Sequence, residues 1–185
     1  MKSTGISIDL ARERAEFFVE RLRPFCVNCE IAGSIRRGKS IVGDIEIVAE
    51  QGESVADFYT AIYEMELCNE LSWYRDSDCK NGMKYLSRKT LIAGEVVGVD
   101  IFVVTPPAQW GVIFAIRTGS HDFNVGTLVP AIKRRGLRSS EGRLQQLAGE
   151  PDLFGAPGWR DVPTPTEGSF FAALGLKWID PKERN

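Results

Sequence analysis

A chain of 185 residues and 20.6 kDa is long enough for one hydrophobic core or two small lobes. With 43% hydrophobic and 26% charged residues, its composition excludes a disordered or fibrous protein. Lys and Arg total 23 against 25 Asp and Glu, a net charge of −2, which excludes a strongly basic nucleic-acid binder as a description of the whole chain but not a local basic patch. No apolar run approaches the ~18 residues of a membrane span, and the opening MKSTGISIDLARER has no apolar signal core. A soluble, intracellular protein is the expectation.

In chain order, Ala11, Ala15, Phe18 and Leu22 recur at helical spacing and predict an amphipathic helix over 7–23, stopped by Pro24. Residues 27–32 form a short β-prone run ending at Gly33-Ser34. Asp44-Ile45-Glu46-Ile47-Val48 alternates with period two, the pattern of a half-buried strand. Val55, Phe58, Tyr59, Ile62 and Met65 predict a second helix over 54–66, with Ser54 as N-cap. From Leu71 to Thr105 the chain is strand-like, and its last run sets Val97, Val99, Ile101 and Val103 on one face with Gly98, Asp100 and Phe102 on the other. Thr105-Pro106-Pro107 reads as a lobe boundary and a helix start, the helix running to about Arg117. A further helical stretch leads to Gly136 as C-terminal cap, with Pro130 kinking it or delaying its start. A turn-rich stretch at 149–168 precedes a last short helix near 168–174.

The cysteines are Cys26, Cys29, Cys68 and Cys79. Cys26 and Cys29 have zinc-ligand spacing, but the other two do not form a second tight pair, so buried structural thiols are the better reading.

The chemistry concentrates in Gly33-Ser-Ile-Arg-Arg-Gly-Lys-Ser-Ile-Val-Gly-Asp-Ile-Glu-Ile47. A strand ending in Gly-Ser and turning into a helix offers backbone N–H groups and the Ser34 hydroxyl to phosphate oxygens. Arg36, Arg37 and Lys39 supply positive charge, and Arg binds phosphate bidentately. Asp44 and Glu46, two apart on a strand, point to one side and repel unless cations lie between them. Asp100 interrupts an apolar strand run, where an unpaired carboxylate is expensive to bury. Each acid alone reads most simply as a solvated strand-face charge; their combination with Gly-Ser and the basic turn points to a metal-dependent phosphate chemistry.

These segments carry a resemblance. GSIRRGKSIVGDIEIV resembles the nucleotidyltransferase signature of DNA polymerase family X, the polymerase β superfamily. VGVDIFVV is similar to that family's third-carboxylate strand, RTGSHDFN to its Thr-Gly-Ser…Asn segment, and FFAALGLKWIDPKER to its closing Leu-Gly…Ile-x-Pro-x-x-Arg pattern. The matches fall in family order over residues 33–184. The resemblance implies an α/β (α+β) fold: a nucleotidyltransferase palm over 1–106, with a small mixed sheet backed by helices, and a small C-terminal α/β lobe over 107–185 that binds nucleotide and DNA. It implies Asp44, Glu46 and Asp100 as catalytic metal ligands for two Mg²⁺, with Mn²⁺ able to substitute, and Asp100 as activator of the primer 3′ hydroxyl. Gly33, Ser34, Arg37 and the Gly43 backbone become triphosphate contacts. Gly119 and Asn124 become contacts to the incoming nucleotide, and His121 falls where the family places a residue against the nucleobase, although an exposed histidine at a helix start is its simpler reading.

The chain also departs from the family pattern. Glu46 stands where many members have Asp. Ile116-Arg117 replaces an aromatic pair that discriminates deoxyribose from ribose. Leu128 stands where an Arg commonly touches the template, and Gly98 where one sits near the primer phosphate. Only about 32 residues precede Gly33, so no lyase domain is expected, and the chain resembles the minimal, two-lobed form that viruses encode. Between 117 and 143 six basic residues face two acidic ones, a local net of +4, and Lys133, Arg134, Arg135 and Arg138 read as a phosphate-backbone track.

The function expected is therefore a DNA polymerase that extends a primer 3′ end and fills short gaps in repair. Its partners would be primer–template or gapped DNA and a dNTP, with rNTP use open; it would act as a monomer away from membranes. A template-independent terminal transferase, or another transferase on the same fold, is the alternative. An inactive nucleic-acid-binding module is the remote one.

Overall fold

The computed structural model describes residues 5–72, 81–149 and 158–185. The chain folds as two compact units, Met1–Thr105 and Pro106–Asn185.

In the first unit, β1 (Ile6–Ser7) pairs with β3 (Ile41–Val42), and α1 (Ile8–Leu22) starts under an N-cap made by Ser7, whose hydroxyl accepts from the Leu10 N–H. Strands β2 (Cys26–Ile31), β4 (Asp44–Gln51), β7 (Glu95–Val104), β6 (Tyr85–Ile92) and β5 (Asn81–Gly82) form one sheet in that spatial order. The β4–β7 pair is parallel and the other pairings are antiparallel, so the sheet is mixed. Between β2 and β4 lies the short turn α2 (Gly33–Arg36). Ser54 caps α3 (Val55–Leu67) by accepting from the Asp57 N–H, as its sequence suggests.

Period-two alternation decides the layering. Ile45, Ile47, Val99, Ile101 and Leu86 enter one core with Ala11, Ala15, Phe18 and Leu22 of α1 and Phe58, Ile62 and Met65 of α3. The two helices thus cover one face of the sheet and leave the other to the acids. Buried Arg88 ends in that covered layer on Glu66, 2.5 Å away, with its charge compensated rather than exposed.

The second unit has its own core, with Val112, Ala115, Phe123, Leu128, Leu144, Phe170 and Phe171 at its centre. Its elements are α4 (Trp110–Thr118), α5 (His121–Phe123), a π-helical turn (Asn124–Leu128), α6 (Val129–Arg134), the antiparallel strands β8 (Leu137–Ser140), β9 (Arg143–Ala148) and β10 (Gly158–Val162), and α7 (Glu167–Ala173).

Two local expectations are corrected. The helix after Pro106-Pro107 starts only at Trp110, because Gln109 is held extended as its N-cap, its N–H donating to Gly142 O. Pro130 sits in the first turn of α6, where a missing N–H costs nothing, and the turn before it closes with the longer bond from Val129 N–H to Asn124 O. Cys68 is exposed at the end of α3 rather than buried. Cys29 is buried and Cys26 half-buried, while Cys79 and most of the LSWYRD run lie outside the described residues.

Candidate active site

Parallel pairing of β4 with β7 sets Asp44 opposite Gly98 and Glu46 opposite Asp100. Antiparallel pairing of β6 extends the same rungs, adding Lys89 beside Gly98, Ser87 beside Asp100 and Tyr85 beside Phe102. The register therefore puts all three acids on the uncovered face within two rungs of one another.

Their surroundings differ. Asp44 opens its strand, and partial desolvation together with the nearby Asp100 charge raises its carboxyl above the ordinary range, while Arg37 pulls it back. Asp100 Oδ1 accepts a 2.8 Å hydrogen bond from the Tyr85 hydroxyl. Glu46 turns its carboxylate over Gly33, whose φ of +59° and missing side chain are both required there: a Cβ would collide with Glu46 Oε2. Burial lowers the Arg37 pKa, and the Glu46 and Asp44 charges oppose the drop, so the guanidinium stays cationic beside both. The Ser34 hydroxyl is buried without a hydrogen-bond partner among the described residues, an unspent donor at the Gly33–Arg36 turn. At Gly43 no such steric demand exists, because a Cβ there would meet nothing within 4 Å.

Could these residues hold a divalent cation? Carboxylate oxygens are the donors magnesium and manganese prefer, and the like charge that raises Asp44 is what a cation relieves. By donor chemistry and shared face the set fits. Among the described residues, however, no three His, Cys, Asp or Glu side chains are drawn around one point.

In the second unit, Gly119 and Asn124 come together as a structural pair. Asn124 Nδ2 donates to Ile116 O at 2.9 Å, and a Cβ on Gly119 would run into the Asn124 amide and stand 2.8 Å from the Phe123 ring. Asn124 Oδ1 is buried without a partner among the described residues. His121 is exposed at the first position of α5, following Ser120, whose hydroxyl caps the Phe123 N–H. Leu128 is 2% exposed in the core, so this position does not present a side chain to a template strand. Ile116 also packs against the core, while Arg117 is exposed.

The four basic residues divide. Lys133 and Arg134 are exposed in the last turn of α6. Arg135 lies across Gly175, and Arg138 sits 4.1 Å above the Trp159 ring while donating to Gln145 Oε1 at 2.9 Å.

The closing segment has a role its sequence does not announce. Arg184 is fully buried, 2.5 Å from Glu167, donates to Ile179 O, and stacks on Phe171 and Trp178. Trp178 Nε1 donates to the same Glu167 carboxylate, and Arg184 O accepts from Ser120 N–H at 2.9 Å. The tail thereby pins the Gly119-Ser120 turn. Tyr85 and Glu167 are the residues sequence reasoning missed, and Arg184, which closes the Ile-x-Pro-x-x-Arg pattern, gains its role only from the pairing with Glu167. Spacing of two places Tyr85 on the Ser87 face, but only the strand register shows that this is also the Asp100 face.

No described helix is long and apolar enough to cross a membrane. Residues 114–185 match the DNA polymerase beta thumb family, which supports a DNA polymerase-like or DNA-binding role. That match, confined to the second unit, supports a family X polymerase-like protein.

Proposed function

We propose that the protein is a DNA polymerase that adds deoxynucleotides to a primer 3′ end and fills short gaps. The observation that carries this reading is the β4–β7 register, which gives Asp44, Glu46 and Asp100 one common face in a chain that also bears a polymerase beta thumb. Asp44, Glu46 and Asp100 would hold magnesium or manganese; when bound, the ions supply charge stabilisation at the phosphorus and at the attacking and leaving oxygens.

The chain's own residues do the rest. Ser34 offers its unspent hydroxyl, and Arg37 its guanidinium, to the triphosphate. Asp100 takes the proton of the primer 3′ hydroxyl as that oxygen bonds to the α-phosphorus; the bond to the bridging oxygen breaks and pyrophosphate leaves. In the second unit, Gly119, His121 and Asn124 serve the nucleotide, and Lys133 and Arg134, with Arg135 and Arg138 behind them, serve the DNA backbone.

Primer extension tests the reading directly, with one-nucleotide-gapped, primed and single-stranded DNA, each with Mg²⁺ or Mn²⁺. Extension on gapped or primed DNA that follows the template supports it; no incorporation with either ion refutes it. Template-independent addition is the second reading, favoured by the burial of Leu128. It is recognised by equal extension of single-stranded and templated primers.

A further inference from the structure

On the acid-bearing face stands one side chain that no motif marks. Tyr85 opens β6 opposite Phe102, and the two rings stack with centroids 5.0 Å apart and planes 11° apart. The backbone just before it is pinned as well, since Lys84 O accepts from Val103 N–H at 3.1 Å. With ring and backbone both fixed, the hydroxyl has little freedom in position. It reaches diagonally past Ser87, the direct partner of Asp100 on that strand, and donates to Asp100 Oδ1 at 2.8 Å.

An aspartate side chain has two torsions, and a strand-face carboxylate without an anchor samples several orientations. A charge-assisted bond from a fixed phenol selects one of them. It occupies one lone pair of Oδ1 and leaves Oδ2, with the remaining lone pair of Oδ1, for another partner. Groups that orient a ligating side chain in this way typically influence metal affinity or activity by about 10- to 100-fold.

We propose that Tyr85 is a positioning residue, which holds the Asp100 carboxylate in the orientation that a divalent cation and the primer 3′ hydroxyl require. The assignment rests on the function proposed above. Phe102 is its support: stacking fixes the phenol, and the phenol fixes the acid. A purely structural Tyr85 would act through the ring stack alone, and the variants Tyr85→Phe and Tyr85→Leu separate the two roles. The first keeps the stack and removes the hydrogen bond; the second removes both.

Two measurements on the full chain test this. Mn²⁺ binding is followed by the electron paramagnetic resonance signal of the free ion, without DNA or nucleotide, with Asp100→Asn as the reference for loss of the acid. Single-nucleotide insertion into a one-nucleotide gap with Mg²⁺ gives kcat and KM separately. Tyr85→Phe is expected to melt with the wild type, to bind Mn²⁺ about tenfold more weakly, and to lose about tenfold in kcat at unchanged dNTP KM, a factor worth about 1.4 kcal/mol. Tyr85→Phe with wild-type Mn²⁺ affinity and kcat overturns the assignment, as does a loss confined to Tyr85→Leu. If the wild type binds Mn²⁺ through Asp100 yet inserts no nucleotide, the polymerase reading fails, and the Mn²⁺ comparison alone then decides for or against Tyr85.

Discussion

Glu46 and Asp100 share one rung of the parallel β4–β7 pairing, so their side chains leave the sheet side by side, on the face opposite α1 and α3. A register one residue different would have turned Asp100 to the core face and Val99 and Ile101 away from it. Asp44 stands two residues away on the same face, beside the gap left by Gly98, where an added Cβ would lie 3.7 Å from that of Asp44.

Replacing Asp44 by Asn keeps the shape and removes the charge. Insertion into gapped DNA is expected to fall at least ~10³-fold, because a ligand and its share of charge balance are lost at the reacting phosphate. Circular dichroism of the variant should match the wild type. An Asp44→Asn protein that inserts at near wild-type rate would remove Asp44 from the chemistry.

The same substitution makes a pH prediction for the metal-free protein. Desolvation and Asp100 raise the folded-state pKa of Asp44 above its ordinary value of 3.8. Ionised Asp44 therefore destabilises the fold: the cost is absent below the unfolded-state pKa, grows as pH rises through the interval to the raised folded-state value, and is full above it. In EDTA, Asp44→Asn is expected to melt higher than wild type at pH 7, and the difference should vanish as pH falls below about 4. Equal melting curves at pH 7 would show that solvent or Arg37 already offsets the repulsion.

A side chain at Gly33 is expected to cost both stability and activity. Its left-handed backbone costs an L-residue ~1–2 kcal/mol, and the Cβ would displace Glu46. Gly33→Ala should lower both the unfolding midpoint in urea and the insertion rate. Gly43→Ala, which meets nothing within 4 Å, should change the midpoint little and so serves as the comparison.

Arg184 is fully buried against Glu167, and removing one partner strands the other charge. Arg184→Ala is expected to cost about 3–5 kcal/mol of the second unit's stability. Trp178, stacked on Arg184 and bonded to Glu167, reports the event by fluorescence during urea unfolding. A variant that unfolds with the wild type would mean that the stack on Phe171 and the Ile179 carbonyl hold the tail without the ion pair.

Sugar selection is expected to be loose. Ile116 packs into the second core and exposed Arg117 is a hydrogen-bond donor, so neither walls off a 2′ hydroxyl. The ratio of kcat/KM for a dNTP over its rNTP should lie below about 10⁴, or ~5.5 kcal/mol of discrimination. A larger ratio would assign the exclusion to another group.

The chain's local patterns already contained the two helices over the sheet, the strands around Asp44 and Asp100, and the caps at Ser54 and Gly136, because periodicity and capping act within a few residues. The three acids were also legible as a set, since two share a strand and the third breaks an apolar one. What lies beyond sequence reach is set by pairing and packing. The β4–β7 register decided that Asp100 shares a face with Glu46, and the β6–β7 register brought Tyr85 within hydrogen-bond distance. Core packing took Leu128 out of reach of a template and closed Arg138 over Trp159, while the tail's carbonyl at Arg184 tied down Ser120. These contacts join residues far apart in the chain. Their free energy depends on which neighbours complete each burial and each hydrogen bond, and only the folded arrangement supplies those neighbours.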